Sequence, residues 1–283
     1  MTVRALGIDV GGEHRKHLDI VVMDGDRQIA AVGSRIPVQR LRALIEDQRP
    51  DVIAIDAPPA WAPAGHRSRT TERELKLLGI QAYYTPDKAT GEANAFYAWM
   101  RNGMAAFRAA ERAGYPAYRA GTIRGHALEV FPHATATVLG GCVPPAKQTA
   151  AAKRAWRAGV LRAHHVPTAQ LRTLDQVDAA LAALTGIVAL ELRDPFAPGM
   201  PDEGRIVLPA RVVPAAGYRR CVQTRAFATE PLITFCACGC GAQTRPGSEF
   251  RSGHDRKLMV QLERAVADGE RAQAELERRG WTG

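Results

Sequence analysis

Apolar positions along the chain alternate between the two-residue period of strands and the wider spacing of helices, one element at a time. Residues 3–10, 18–23 and 28–32 are β-rich, with Asp24-Gly25 as a turn between the last two. Residues 38–47 carry Leu41, Leu44 and Ile45 at helical spacing, and 51–55 is a near-continuous apolar strand. This order predicts a meander, a crossover helix and a parallel strand, hence an α/β mixed sheet flanked by helices.

Further along, 67–78 reads as a charged helix and 80–86 as a short strand closed by Pro86. Residues 93–112 read as one long helix with Phe96, Met100, Met104 and Phe107 on a core-facing stripe. A buried strand at 127–131 contains Glu129, a helix rich in Ala, Lys and Arg covers 148–164, and a helical stripe runs from Val177 through Leu181, Leu184 and Val188. A strand-like piece at 205–208 closes a first domain, 1–209. Residues 210–231 have no clear period and read as a linker; 232–283 read as a small Cys/His module with a polar C-terminal helix.

With 283 residues, 46% of them hydrophobic, the chain suits one α/β domain and a small appendage. No apolar stretch approaches the roughly 20 residues that cross a bilayer, and the first residues lack a signal peptide's apolar run. A soluble cytoplasmic protein without a membrane partner is therefore expected. The net charge of +9 attracts polyanions, although Ala and Arg richness also fits a GC-rich genome.

Chemistry enters through acids at element ends. Asp9 closes the first strand before Gly11-Gly12, and Asp56 closes the fourth before Ala57-Pro58-Pro59, which turns the chain out of the sheet. Asp175 and Asp178 share a face at the start of the late helix, where Asp175 also suits the N-cap. Carboxylates crowd together when a divalent cation neutralises them, so Asp9, Asp56 and Asp178 are candidate ligands for Mg²⁺ or Mn²⁺. Glu129, embedded in a strand, either contacts that site or pairs with an arginine. Arg69, Glu72 and Arg73 follow Asp56, and Lys147, Lys153 and Arg154 precede the acidic helix; contacts to phosphate are weighed there against an ordinary solvated face.

The segments Gly7-Ile8-Asp9, Ile53-Ala54-Ile55-Asp56-Ala57-Pro58, Thr71-Glu72-Arg73-Glu74-Leu75 with Tyr84-Thr85-Pro86, Glu129-Val130-Phe131-Pro132 and Asp175-Gln176-Val177-Asp178-Ala179 resemble the domain of unknown function 429 family. The resemblance spans about residues 1–209. It implies an RNase H-like fold and a predicted nuclease, with catalytic acids on the first strand, the fourth strand and the last helix. Asp9, Asp56 and Asp178 with Asp175 match these positions, and the implied reaction is phosphodiester hydrolysis by a metal-activated water, with nucleic acid as partner.

The glycine turn at residues 7–12 also resembles the first phosphate loop of actin-like ATPases and sugar kinases, without a good second copy. A kinase or ATPase is therefore the alternative enzyme, and a non-catalytic nucleic-acid-binding protein the alternative outside catalysis.

In the tail, Cys236, Cys238 and Cys240 alternate, so an extended backbone points all three thiols one way. With His254 or Cys221 as fourth ligand they predict a structural Zn²⁺ site that helps a small module fold. Three clustered cysteines favour metal or redox chemistry over a disulfide framework, and Cys142 reads as a small buried apolar residue. DNA versus RNA, the pathway and the oligomeric state are not readable from the chain.

Overall fold

The computed structural model describes residues 3–11, 17–146, 148–221 and 253–256. The chain divides into two compact units, 1–229 and 230–283. In the second, the described residues form one turn, helical at 254–256.

The first unit is a mixed α/β fold. Strands β1 (Arg4–Val10), β2 (His17–Asp24) and β3 (Ile29–Pro37) form an antiparallel meander, and helix α1 (Val38–Gln48) crosses over to β4 (Val52–Asp56), parallel to β1. There follow α2 (Thr70–Leu77), α3 (Lys88–Ala93), a 3-10 turn (Ala95–Tyr97), α4 (Ala98–Arg112), β5 (Ala127–Glu129), α5 (Pro132–Gly140), α6 (Ala150–Ala163) and α7 (Leu174–Leu192). The sheet order is β3-β2-β1-β4-β5, with β5 parallel to β4. The mixed sheet with helices on its faces expected from the periodicity is the one observed. No helix of the described residues is long and apolar enough to cross a membrane.

Alternation along the strands assigns the two faces. Leu6, Ile8 and Val10 join Leu18, Ile20, Val22, Ile53 and Ile55 in one core with Leu41 and Ile45 of α1 and Ala106, Phe107 and Ala110 of α4. Ala5, Gly7 and Asp9 point the other way, toward α7. A Cβ on Gly7 would lie 2.1 Å from the Ala179 carbonyl oxygen and 2.3 Å from the Ala183 nitrogen. Farther along the helix, a Cβ on Gly186 would meet Val52 at 3.0 Å and Ala5 at 3.2 Å.

Ala179 therefore sits over Gly7 and Gly186 over Ala5, so α7 runs antiparallel to β1. Its first turns, carrying Asp175 and Asp178, consequently lie at the carboxyl ends of β1 and β4. Every residue of α7 from Val177 to Ala189 is buried, because α5 and α6 cover its outer side. There the Thr135 and Thr185 hydroxyls hydrogen-bond at 2.7 Å.

Several expected elements differ. Residues 80–86 form a loop rather than a strand: the Thr85 N–H donates to the Glu72 carboxylate at 2.9 Å, and the Pro86 carbonyl accepts from the Ala62 N–H at 2.9 Å. The expected long helix is broken at Asn94, whose backbone is extended (φ −113°, ψ 124°) and whose side chain caps the next turn by accepting from the Phe96 N–H at 2.9 Å. Met100, Met104 and Phe107 stay in the core, while Phe96 turns outward and is 46% exposed. Residues 205–208 add a single bridge, Ile206 to Glu129, instead of a strand. Helix α5 was not expected; Pro132 at its first turn reads in sequence as the end of the preceding strand, yet it suits that position.

The linker expected at 210–231 differs over its described part. Ala210 and Tyr218 are buried with Leu75, Ile80, Val138 and Leu208, and Arg220 bridges to Val143. A disulfide joins Cys221 to Cys142, 79 residues away. Cys142 is thus half of a covalent tie rather than a small apolar residue, and Cys221 is not a thiolate donor for zinc.

Candidate functional site: an acid cluster at the strand ends

Asp9 and Asp56 are register partners on neighbouring parallel strands, and Asp19 of β2 stands opposite Asp9 on the other side. Strands lie about 4.8 Å apart, so three carboxylates form a row across β2, β1 and β4 on the face that α7 covers. Asp178, 7% exposed, approaches that row from the helix. Burial pushes the Asp9 carboxyl well above its usual range, and Asp178, Asp56, Asp175 and Asp19 push it further. Asp56, half-buried, rises for the same reasons, burial first and Asp178 next, while Arg157 opposes the shift.

Arg157 of α6 faces this cluster, with Lys153 of the same helix also acting on Asp178. The arginine donates to one Asp178 carboxylate oxygen. Even so, burial outweighs the ion pair, and the Asp178 carboxyl is pushed up to about 6. The other Asp178 oxygen, Oδ1, and the Arg157 Nε are buried without a hydrogen-bond partner among the described residues. No hydrogen bond or ion pair to the Asp9 or Asp56 carboxylate is present among the described residues either. The cluster is therefore rich in negative charge that the folded chain leaves poorly compensated, the situation a dication relieves.

Asp56, Asp178 and Arg157 border a cavity of about 380 Å³ whose lining also includes Lys153, Glu129 and Arg69. On one side lies a buried ionic network. Arg69, 1% exposed, donates to both Glu129 oxygens at 2.8 and 2.5 Å and through Nε to Glu72 at 3.0 Å. Glu72 also accepts from the backbone N–H groups of Arg69 (3.0 Å) and Thr85 (2.9 Å). Burial raises the Glu129 carboxyl, with Arg69 holding it down. The network pins α2 and the loop at residue 85 to the end of β5, one strand beyond Asp56.

The family described as "Protein of unknown function (DUF429)" matches residues 7–201, more than half of the chain and all of the acids above. The chain belongs to the DUF429 family. A solved structure of Thermus thermophilus RuvC aligns with 68% of this chain and 96% of its own, at 16% identity and a TM-score of 0.34. Among curated proteins no relative matches.

Within the DUF429 domain the structure brings together Asp9, Asp56 and Asp178, with Asp175 close enough to act on Asp9 and Asp178. Asp175 lies in the first turn of α7 and is not its N-cap; Thr173 caps the helix, accepting from the Gln176 N–H at 3.1 Å. Glu129 takes the second of its two expected roles, pairing with an arginine. Arg69 and Glu72, expected on a solvated face, are buried instead. Arg154 turns away to the Arg172 carbonyl, Lys153 lines the cavity, and Lys147 lies outside the described residues.

Two residues escaped the sequence reading. Asp19 sits mid-strand between Leu18 and Ile20, and an acid between apolar residues in an alternating strand was the available signal. Arg157 stands four positions after Lys153, on the same helical face, which would have paired it with that residue. Cys236, Cys238 and Cys240 lie outside the described residues, and His254 is in the short helical turn of the second unit.

Proposed function

We propose that this chain is a divalent-metal-dependent nuclease that hydrolyses phosphodiester bonds in nucleic acid. The observation that carries the reading is the meeting of Asp9, Asp56 and Asp178, from two adjacent parallel strands and a helix far along the chain, at one end of the sheet. Buried acids that raise one another's proton affinity are costly for folding and useful for holding a cation. An RNase H-like arrangement, expected from the family resemblance, places acids on the same three elements.

The donor set suits Mg²⁺ or Mn²⁺: hard carboxylate oxygens, one of them buried and unpartnered. Among the described residues no group of three or more His, Cys, Asp or Glu side chains is drawn close enough to hold a metal ion together. Mg²⁺ takes only one or two protein carboxylates and keeps several waters, so Asp9 and Asp56 with Asp178 beside them meet its needs. When bound, the ion neutralises the phosphate and lowers the pKa of the attacking water. Asp9 and Asp56 would hold it, Asp178 would complete the charge, and Lys153 and Arg157 would face the phosphate. Asp175 supports the same charge from the first helical turn, and Glu129 keeps Arg69 in position beside Asp56.

The zinc module is part of the proposal, with Cys236, Cys238 and Cys240 as thiolate ligands and His254 as the fourth, the Cys221 sulfur being engaged elsewhere. Metal analysis of the purified protein, expected to return one equivalent of zinc that survives mild chelation, checks it.

The test of the main reading is cleavage of labelled nucleic acid. Activity is expected to vanish in EDTA, return with Mg²⁺ or Mn²⁺, and be lost in Asp9→Asn and Asp56→Asn. Cutting that continues in EDTA defeats the proposal. The same variants separate the rivals: a kinase or ATPase loses nucleotide turnover, whereas a non-catalytic binder retains its affinity.

A further inference from the structure

Asp56 and Asp178 border a cavity of about 380 Å³, and part of the lining of that cavity is aromatic. Tyr83 makes edge contacts with Phe96 and with Trp99, at centroid distances of 6.0 and 6.1 Å. Despite that clustering, Tyr83 is 66% exposed and Phe96 46%. Phe96 reaches this position because Asn94 interrupts the helix that would otherwise have folded it into the core. Clustered, solvent-exposed aromatic surface beside a polar cavity marks a binding face.

A second cavity of about 540 Å³ adjoins the first and shares Tyr83, Lys153 and Arg157 with it. Its charged lining is Lys153, Arg157 and Arg220, and no carboxylate lines it among the described residues. His133, also on its wall, is pushed down to about 4 by burial and by Arg157 and Lys153, so it is a neutral hydrogen-bonding group at pH 7. Side by side, therefore, stand a carboxylate site, an aromatic wall and an acid-free basic groove.

We infer that the substrate is a single strand of nucleic acid: an unstacked base lies against Tyr83, Phe96 and Trp99, and flanking phosphates run along Lys153, Arg157 and Arg220. This rests on the nuclease reading of the acid cluster and names its substrate class. Three chemical features of a single strand match three features of the site. Its bases have free faces that stack on aromatic rings, its backbone carries regularly spaced anions, and it is slender enough to lower a phosphodiester into a walled cavity. A duplex keeps its bases stacked inside and presents a stiff convex backbone, which offers no free base face to the aromatic rings of this cavity.

The test is binding by the full chain in EDTA, where cleavage is off, read by fluorescence anisotropy. The probes are a labelled oligothymidine, a labelled oligouridine, the matching duplexes, and a mononucleotide as competitor. Single strands are expected to bind about tenfold or more tightly than duplexes, and Tyr83→Ala or Phe96→Ala to weaken single-strand binding by about tenfold. Tyr83→Phe, which keeps the ring, is expected to restore it. Arg220→Ala is expected to lower the slope of log affinity against log salt by about one. Circular dichroism and melting of each variant separate lost binding from lost folding.

Equal or tighter duplex binding, or single-strand binding indifferent to Tyr83 and Phe96, overturns the inference even if metal-dependent cleavage is found. A mononucleotide that competes as well as the oligomer overturns the strand assignment. Ring-dependent single-strand binding without any metal-dependent cleavage upholds this inference and sinks the nuclease reading instead.

Discussion

Arg157 reaches from α6 to Asp178 on α7, and this ion pair brings an arginine of the cavity wall into direct contact with one member of the acid cluster. Both partners are about nine-tenths buried. Each still has an unpartnered polar atom, Arg157 Nε and Asp178 Oδ1. The pair is therefore a partial neutralisation of the cluster.

Removing the guanidinium leaves the acids facing one another without it. Arg157→Met, which keeps the apolar stem, is expected to lower the stability of the metal-free protein by about 3 kcal/mol. Mg²⁺ should restore part of that loss. Urea melts with and without Mg²⁺ check this, and a variant as stable as the parent in EDTA contradicts it.

The raised carboxyls give the metal-free protein an unusual pH response. Asp9, Asp56 and Asp178 hold protons in the folded chain at pH values where the unfolded chain, with carboxyls near 3.9, has released them. The contribution of these groups to stability is thus fully present below about pH 4 and is lost as pH rises through their folded-state values, about 6 for Asp178. Asp9→Asn removes part of this dependence, so the variant is expected to outlast the parent at pH 7 in EDTA by up to about 2 kcal/mol and to lose its advantage at pH 4. Thermal melts of both proteins across this range, in EDTA and in Mg²⁺, are the measurement. An advantage that grows toward low pH would reverse the sign and refute the argument.

Gly7 is where α7 lies on β1. Because the added methyl group of Gly7→Ala would fall within 2.3 Å of two backbone atoms of α7, the helix must shift. A cost of about 1–3 kcal/mol is expected, with loss of activity as Asp178 moves from Asp9 and Asp56. Gly33→Ala would instead meet Ile20 side-chain atoms at 2.8 Å on the far side of the meander, and serves as a control that leaves α7 in place. Melting and cleavage assays distinguish the two.

Glu129 lies beside the acid site, but both its oxygens are engaged by Arg69. Glu129→Gln is expected to slow cleavage about 10- to 100-fold by loosening the positioning network, and Asp56→Asn to reduce it to background. Equal losses in the two variants, with the fold intact, would make Glu129 a direct participant instead.

The element order was readable because local chemistry repeats along each element. Alternation at residues 3–10 and 18–23, the apolar run ending at Asp56, and the Val177-Leu181-Leu184 stripe each imply a periodic face without any knowledge of partners. Departures occurred where a single side chain overrode that period. Asn94 caps a turn and splits a helix, and Glu72 takes the backbone N–H of Thr85 that a strand would have needed. The buried state of Arg69 was hidden for a similar reason, since its partner Glu129 lies 60 residues away.

By itself the sequence determined that strands would carry Asp9 and Asp56 at or next to their carboxyl ends and that a late, small-residue helix would carry Asp175 and Asp178 in its first turns, because these follow from nearest-neighbour backbone geometry. Tertiary structure alone decided that Asp19 joins the row, that Arg157 meets Asp178, that Cys142 finds Cys221, and that Tyr83 and Phe96 line the same cavity as Asp56 and Asp178. Those contacts depend on strand register and on how closely α7 can approach Gly7. Both are set by packing between segments far apart in the chain, which no local period encodes.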